Sequence, residues 1–116
     1  MCHYRHRAHG DPLILVGLQD ITAHVDFTAL AEAALKSGLE VLGYTAQAQF
    51  LIASGLGQRL ATADQSDIRH YLEITQQVKK LTLPNEMGEL FKVLALGKGY
   101  DGLLEGFMLQ DRRHAL

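Results

Sequence analysis

An unbroken alternation of polar and apolar residues over residues 20–27 constrains the fold of this chain more than any other feature. In an extended strand, successive side chains point to opposite faces of the sheet. The polar face would carry four side chains: Asp20, Thr22, His24 and Asp26. The other face is apolar throughout. The alternation therefore predicts a strand with one packed face and one face free for chemistry.

The residues after this segment predict a helix and a second strand. Asp26 or Thr28 can cap a helix over residues 29–37, which is rich in Ala and Leu and stops at Gly38. Residues 39–44 are short, partly β-branched and aromatic, as is typical of a strand. A strand, a helix and a strand in this order predict a parallel βαβ unit.

The second half of the chain predicts helices and one more strong strand. Residues 47–54 indicate a helix that is interrupted by Gly55 and Gly57 and could resume through Leu60, and a longer helix opens at Ser66 or Asp67. Residues 91–96 are typical of a strand, and residues 103–109 could add a short edge strand. Helical spacing predicts these buried residues: Phe50, Leu51, Ile52, Ile68, Tyr71, Leu72, Thr75, Val78 and Leu81.

Composition indicates an ordinary globular domain. A compact domain of 116 residues buries roughly 65% of its unfolded surface. The net charge of −2 gives no electrostatic reason to expect nucleic acid as a partner. The single cysteine, Cys2, cannot form an internal disulfide, and the longest apolar run, residues 13–18, is too short to span a bilayer. Without a recognisable signal peptide, we expect a cytoplasmic protein with no membrane partner.

Two motifs are typical of ligand sites, one for a dinucleotide and one for a metal, but the residues around each motif argue against such a site. Residues 97–102 spell G-x-G-x-x-G after a predicted strand, but too little chain follows for the helix and second strand of a dinucleotide site. We interpret them as a flexible turn. His3, His6 and His9 recur at every third position, but structural zinc sites use four ligands and the intervening arginines oppose a cation. We predict no metal site.

The polar face of residues 20–27 is the best candidate site. His24 has a carboxylate two residues away in the strand, which can tune an imidazole as a general base. The structural alternative is that Asp26 caps a helix and Asp20 begins the strand. Gln47 follows a strand, where α/β sheets place ligand contacts, although it could be an ordinary surface glutamine.

A second acidic segment offers a weaker candidate. Glu86 and Glu89 could attract a substrate cation, but we favour a solvated loop before the last strand as the explanation for them.

Three segments, residues 20–27, 45–51 and 84–93, together resemble the C-terminal part of the MidA-like class I S-adenosylmethionine-dependent methyltransferases. This family includes the mitochondrial arginine methyltransferase of complex I assembly, and the resemblance runs from Tyr4 to about Gly99. It implies an α/β fold: part of a Rossmann-like sheet, with three to four strands, flanking helices and an antiparallel last core strand. The chain would be one partial domain with three parts: a lead-in (1–17), a core (18–99) and a tail (100–116).

The resemblance also implies a function. Methyl would pass from S-adenosylmethionine to a protein nitrogen, plausibly that of an arginine. His24 would accept a proton, Asp20 or Asp26 would orient or attract a cationic substrate, and Gln47 and Thr22 would bind the substrate.

The resemblance further implies that the cofactor loop lies upstream of Met1, so that the chain needs a missing N-terminal half or self-association. The alternative is a non-catalytic module that docks or self-associates through an open sheet edge.

Overall fold

The structure, a computed structural model, describes the backbone of residues 2–4 and 7–9 and all of residues 10–116. At the N-terminal end, strands β1 (Cys2–Tyr4), β2 (Arg7–His9) and β3 (Asp20–Ile21) form an antiparallel sheet in the order β2-β1-β3. The segment that the sequence predicted to be an irregular lead-in thus contains two strands.

Helix α1 (Phe27–Lys36) follows, within two residues of its predicted start. It begins because a carboxylate oxygen of Asp26 accepts a hydrogen bond from the Ala29 N–H at 2.9 Å. It ends before Gly38, whose φ of +75° suits a residue without a side chain.

Strands β4 (Glu40–Ala46) and β5 (Lys92–Gly97) form a second sheet, paired antiparallel with an irregularity between Val41 and Gly43. Helix α1 packs on β4 through Ala31 and Ala34, which are buried, and the rings of Phe27 and Tyr44 lie 5.3 Å apart. The predicted α/β class with an antiparallel last strand is confirmed.

The parallel βαβ unit predicted from the sequence is not formed among the described residues, since β3 and β4 lie in different sheets. The predicted strand over residues 20–27 is a strand only at Asp20 and Ile21, and no regular structure follows until α1. The physical reason is visible in the side chains. Ile21 and Val25 are 67% and 57% exposed, so the apolar face of the alternation has no surface to pack on.

Four helices connect the two strands of the second sheet: α2 (Gln47–Ala53), α3 (Leu56–Ala61), α4 (Ile68–Thr82) and α5 (Met87–Leu90). As predicted, a glycine separates α2 from α3, and Asp67 caps α4 by accepting from the His70 N–H at 3.1 Å. The burial predicted for Ile52, Ile68 and Leu72 is wrong, because each of these side chains is about half exposed or more.

The C-terminal tail forms two 3₁₀ turns, Glu105–Phe107 and Arg113–Ala115, in place of the predicted edge strand. The reason is Phe107, which is buried edge-on against Phe50 and lies where a Gly43 side chain would be. A turn, rather than a strand, directs this ring inward.

The chain is more extended than a compact domain of its length. Its radius of gyration is 17.9 Å, against roughly 13 Å for a compact domain. Its accessible surface is 8775 Å², against roughly 6,300 Å² for a monomer of this mass. The chain therefore buries only about half of its unfolded surface, short of the share predicted from its length.

Candidate functional site

The four polar residues of the alternating segment lie along a strap, residues 20–26, that joins β3 to α1. Backbone pairing of Asp20 with His3 fixes one end, and the Asp26 cap of α1 fixes the other. Asp20, Thr22, His24 and Asp26 are all exposed. Because most of the strap is not a strand, they do not share one sheet face.

Asp26 has a defined structural role. Its Oδ1 accepts from the Ala29 N–H at 2.9 Å, and its backbone carbonyl accepts from the Leu30 N–H at 3.1 Å. Both are the bonds of a helix N-cap. The structural alternative considered for Asp26 is therefore confirmed, although its other carboxylate oxygen is still available to a ligand.

His24 lies near the middle of the strap, between the two fixed ends. In the part of the chain that the structure describes, neither Asp20 nor Asp26 forms a hydrogen bond or ion pair with its imidazole. An exposed imidazole can exchange protons with a substrate, but tuning it as a base requires a partner or burial. The site roles of His24, Asp20 and Thr22 stay predictions.

Gln47 is placed apart from the strap, at the start of α2. Its side-chain amide donates to the backbone carbonyl of Leu81 at 3.0 Å, near the C-terminal end of α4. Its backbone N–H donates to the carbonyl of Phe91 at 2.9 Å. The side chain thus joins two helices here, and substrate binding by Gln47 stays a prediction.

Glu89 lies in a helix, α5, rather than in the solvated loop expected from the sequence. Its carboxylate accepts from both terminal nitrogens of Arg112, at 2.6 and 3.3 Å, and from Lys92 Nζ at 3.3 Å. The hydrogen bond from Arg112 holds the pKa of the Glu89 carboxyl below its ordinary value, and Glu89 raises the pKa of Arg112. This carboxylate therefore fastens the tail to α5.

The same tail is bonded to β4 at several points. The Arg112 N–H donates to the carbonyl of Tyr44 at 2.6 Å, and the fully buried Thr45 hydroxyl contacts Oε1 of Gln110 at 3.3 Å. Sequence reasoning missed these contacts because the partners lie more than 60 residues apart and no local pattern signals them.

The cavity that the described residues form lies away from the strap. An open depression of about 480 Å³ lies at the C-terminal end of α4, lined by Gln76, Lys79, Lys80, Leu83 and Glu86. Residues 97–102 form a turn that no α-helix follows, so they lack the helix N-terminus that a dinucleotide needs.

No cluster suited to a metal ion occurs among the described residues, and the side chains of His3, His6 and His9 lie outside them.

Comparisons with known proteins indicate a reaction and a cofactor, which the geometry of the strap alone does not. Residues 1–45 match a family model described as "putative S-adenosyl-L-methionine-dependent methyltransferase". A crystal structure of a Burkholderia thailandensis protein described as a "likely methyl transferase", bound to S-adenosyl-homocysteine, is 54% identical over 100% of this chain, with a TM-score of 0.91. This chain is similar to proteins described as S-adenosylmethionine-dependent methyltransferases. The resemblance to methyltransferases that use this cofactor, predicted from the sequence, agrees with these matches.

A second crystal structure, of an uncharacterized protein from the same organism, is also 54% identical over 100% of this chain, with a TM-score of 0.89. This chain covers 31% and 30% of these two proteins, so it spans about a third of their length. No curated protein matches it. None of the helices described in it has the length and apolar character needed to cross a membrane.

Proposed function

We propose that this chain works as one portion of an S-adenosylmethionine-dependent methyltransferase of the MidA-like type. The observation that carries the proposal is its 54% identity, over its whole length, to a protein crystallised with S-adenosyl-homocysteine. The chain spans about a third of that protein, and its glycine-rich turn at residues 97–102 is followed by no α-helix. We infer that the cofactor is bound mainly by the portion that this chain does not span.

The strap is our proposed contribution of this chain to catalysis. A nitrogen that is methylated must lose a proton, and the exposed imidazole of His24 is placed to accept one. Asp20 and the free carboxylate oxygen of Asp26 add negative charge at the two ends of the strap. Such charge would attract a cationic acceptor, and a protein arginine is the substrate that we propose. We keep Thr22 and Gln47 as candidate substrate contacts and the cytoplasm as the compartment.

The test replaces the matched third of the Burkholderia protein with this chain, giving a full-length chimera. Transfer of a labelled methyl group from S-adenosylmethionine to an arginine-containing peptide is then measured. If His24 accepts the proton, His24→Ala should lower the rate at least ~100-fold, as loss of a general base does. His70→Ala, which removes another exposed histidine, is the matched control. An unchanged rate in His24→Ala would remove His24 from the mechanism.

The second candidate is a non-catalytic module that associates with another protein. Its support is the large exposed apolar surface of the described residues. A chimera that transfers methyl groups would favour the methyltransferase. A chimera that folds and binds S-adenosyl-homocysteine but transfers no methyl group would favour the module.

A further inference from the structure

The loop between β2 and β3 presents its apolar side chains outward. Leu13 and Val16 are each 81% exposed, and the remaining large apolar residues of the loop are exposed too: Ile14, Leu15 and Leu18. We call residues 13–18 the apolar loop. A run of exposed apolar residues of this kind usually marks an interaction surface.

Polar contacts hold the apolar loop in one shape. The side-chain amide of Gln19 donates to the backbone carbonyls of Pro12, at 3.1 Å, and Ile14, at 2.5 Å. A carboxylate oxygen of Asp11 accepts from the Leu13 N–H at 2.9 Å. The loop is thus closed from within by its polar residues, and its apolar side chains are left facing outward.

Leu15 shows that this shape carries a cost. Its φ is +52°, in the left-handed region that side chains of its type rarely adopt. A strained residue persists only where its surroundings hold it, and such residues concentrate at functional positions. We therefore take the loop as preformed for a contact.

The extended shape of the chain indicates how large that contact is. The accessible surface exceeds that of a compact monomer of this mass by roughly 2,500 Å². A surplus of this size fits a large, permanent interface rather than a transient one. Helix α1 contributes to the surplus, since Leu30 and Leu35, on either side of its buried face, are 46% and 61% exposed.

We propose that the apolar loop docks onto the portion of a methyltransferase that this chain does not span, and that this portion covers it with an apolar surface. The inference rests on the proposed function, because the occupant is the remaining two-thirds of a protein like the Burkholderia neighbours. The apolar loop and α1 lie within residues 1–45, the stretch that matches the methyltransferase family model. The exposed apolar surface therefore lies in the same stretch of sequence as the match to the family model.

The test compares one pair of substitutions in two settings, the isolated chain and the full-length chimera. In the isolated chain, Leu13→Ser with Val16→Ser should change the melting temperature by less than about 1 °C, because both side chains are exposed. In the chimera, the same pair should lower it by roughly 3 °C or more, since the side chains become buried. Leu103→Ser with Met108→Ser, a pair 83% and 69% exposed in the tail, is the matched control.

A chimera that tolerates the loop pair as well as the isolated chain does would overturn the proposal. So would an equal fall for the loop pair and the control pair, because the effect would then not belong to the loop.

Chemical labelling gives a second readout that does not depend on stability. A Val16→Cys variant, in a Cys2→Ser background, should react with a maleimide at least ~10-fold more slowly in the chimera than in the isolated chain. Slow labelling of an isolated chain that sediments as a dimer would make a second copy the occupant and overturn the proposal. If the chimera does not fold, cysteine at the aligned position of the Burkholderia protein serves instead, and fast labelling there overturns it.

Methyl transfer separates this inference from the proposed function. A chimera that shields the loop but transfers no methyl group contradicts the function and supports the docking. A chimera that transfers methyl groups while its loop stays reactive contradicts the docking alone.

Discussion

Replacing Gln47 tests whether this side chain serves the fold or a substrate. The last carbonyls of a helix have no partner within the helix. Leu81 lies in the last turn of α4, and its carbonyl accepts from Nε2 of Gln47 at 3.0 Å. The amide of Gln47 therefore acts as a long-range cap for α4.

The cost of removing this cap follows from the kind of bond. Loss of one neutral, half-buried hydrogen bond destabilises a protein by about 0.5–1.5 kcal/mol. For a chain of this size, that lowers the melting temperature of Gln47→Ala by roughly 2–6 °C. Gln47→Glu should cost more at neutral pH, because a carboxylate would place an acceptor against the acceptor of Leu81.

Urea unfolding followed by circular dichroism measures these differences. Gln49→Ala, on the same helix and half-buried like Gln47, is the control and should stay within about 0.5 kcal/mol of the parent. Equal effects of the two alanine substitutions would refute the capping role and favour Gln47 as a residue free to bind substrate. A fall in the activity of the chimera, with no loss of stability, would lead to the same conclusion.

Substitutions at three further positions test how the fold is held together. Gly43→Ala places a methyl group against the ring of Phe107 and should destabilise the chain by about 1–3 kcal/mol in urea unfolding; no loss would show that the tail does not pack there. Glu89→Gln should cost about 0.5 kcal/mol at pH 7, because the pair with Arg112 is partly exposed. Since folding lowers the pKa of Glu89, that contribution is fully present above the unfolded pKa of about 4.3 and is lost as the pH falls through the lower folded pKa; an equal cost at roughly pH 2 would contradict it. Asp67→Ala should cost about 1 kcal/mol and Asp67→Asn much less, and equal losses would rule out the cap.

Capping residues and residue spacing predicted most helix ends well. The same kind of local pattern failed where tertiary packing determines whether a strand forms. Asp26, Gly38 and Asp67 mark helix ends through contacts with residues no more than three positions away, so the sequence alone could place them. The alternation over residues 20–27 is equally local, but a strand also needs a surface for its apolar face. The described residues supply none, since Val25 is 57% exposed.

The contacts of the tail could not be predicted for a different reason. Thr45 with Gln110, and Glu89 with Arg112, are long-range pairs that only the folded backbone brings together. The acidic segment around Glu89 was visible in the sequence, but nothing nearby in the sequence indicated which cation it would pair with. The sequence could therefore name candidate polar residues such as Glu89, but it could not name the distant residues with which they pair.

The exposure of His24 and the exposure of the apolar loop have the same explanation in our proposals. A catalytic imidazole needs a fixed partner and restricted access to water, and His24 has neither among the described residues. The strap begins two residues after the apolar loop, at Asp20, so a body that covers the loop is also placed to enclose the strap. Docking would then supply both the buried interface that the extended chain lacks and the environment that proton transfer requires. On this reasoning, stability and catalysis depend on one contact, and the isolated chain should transfer no methyl group.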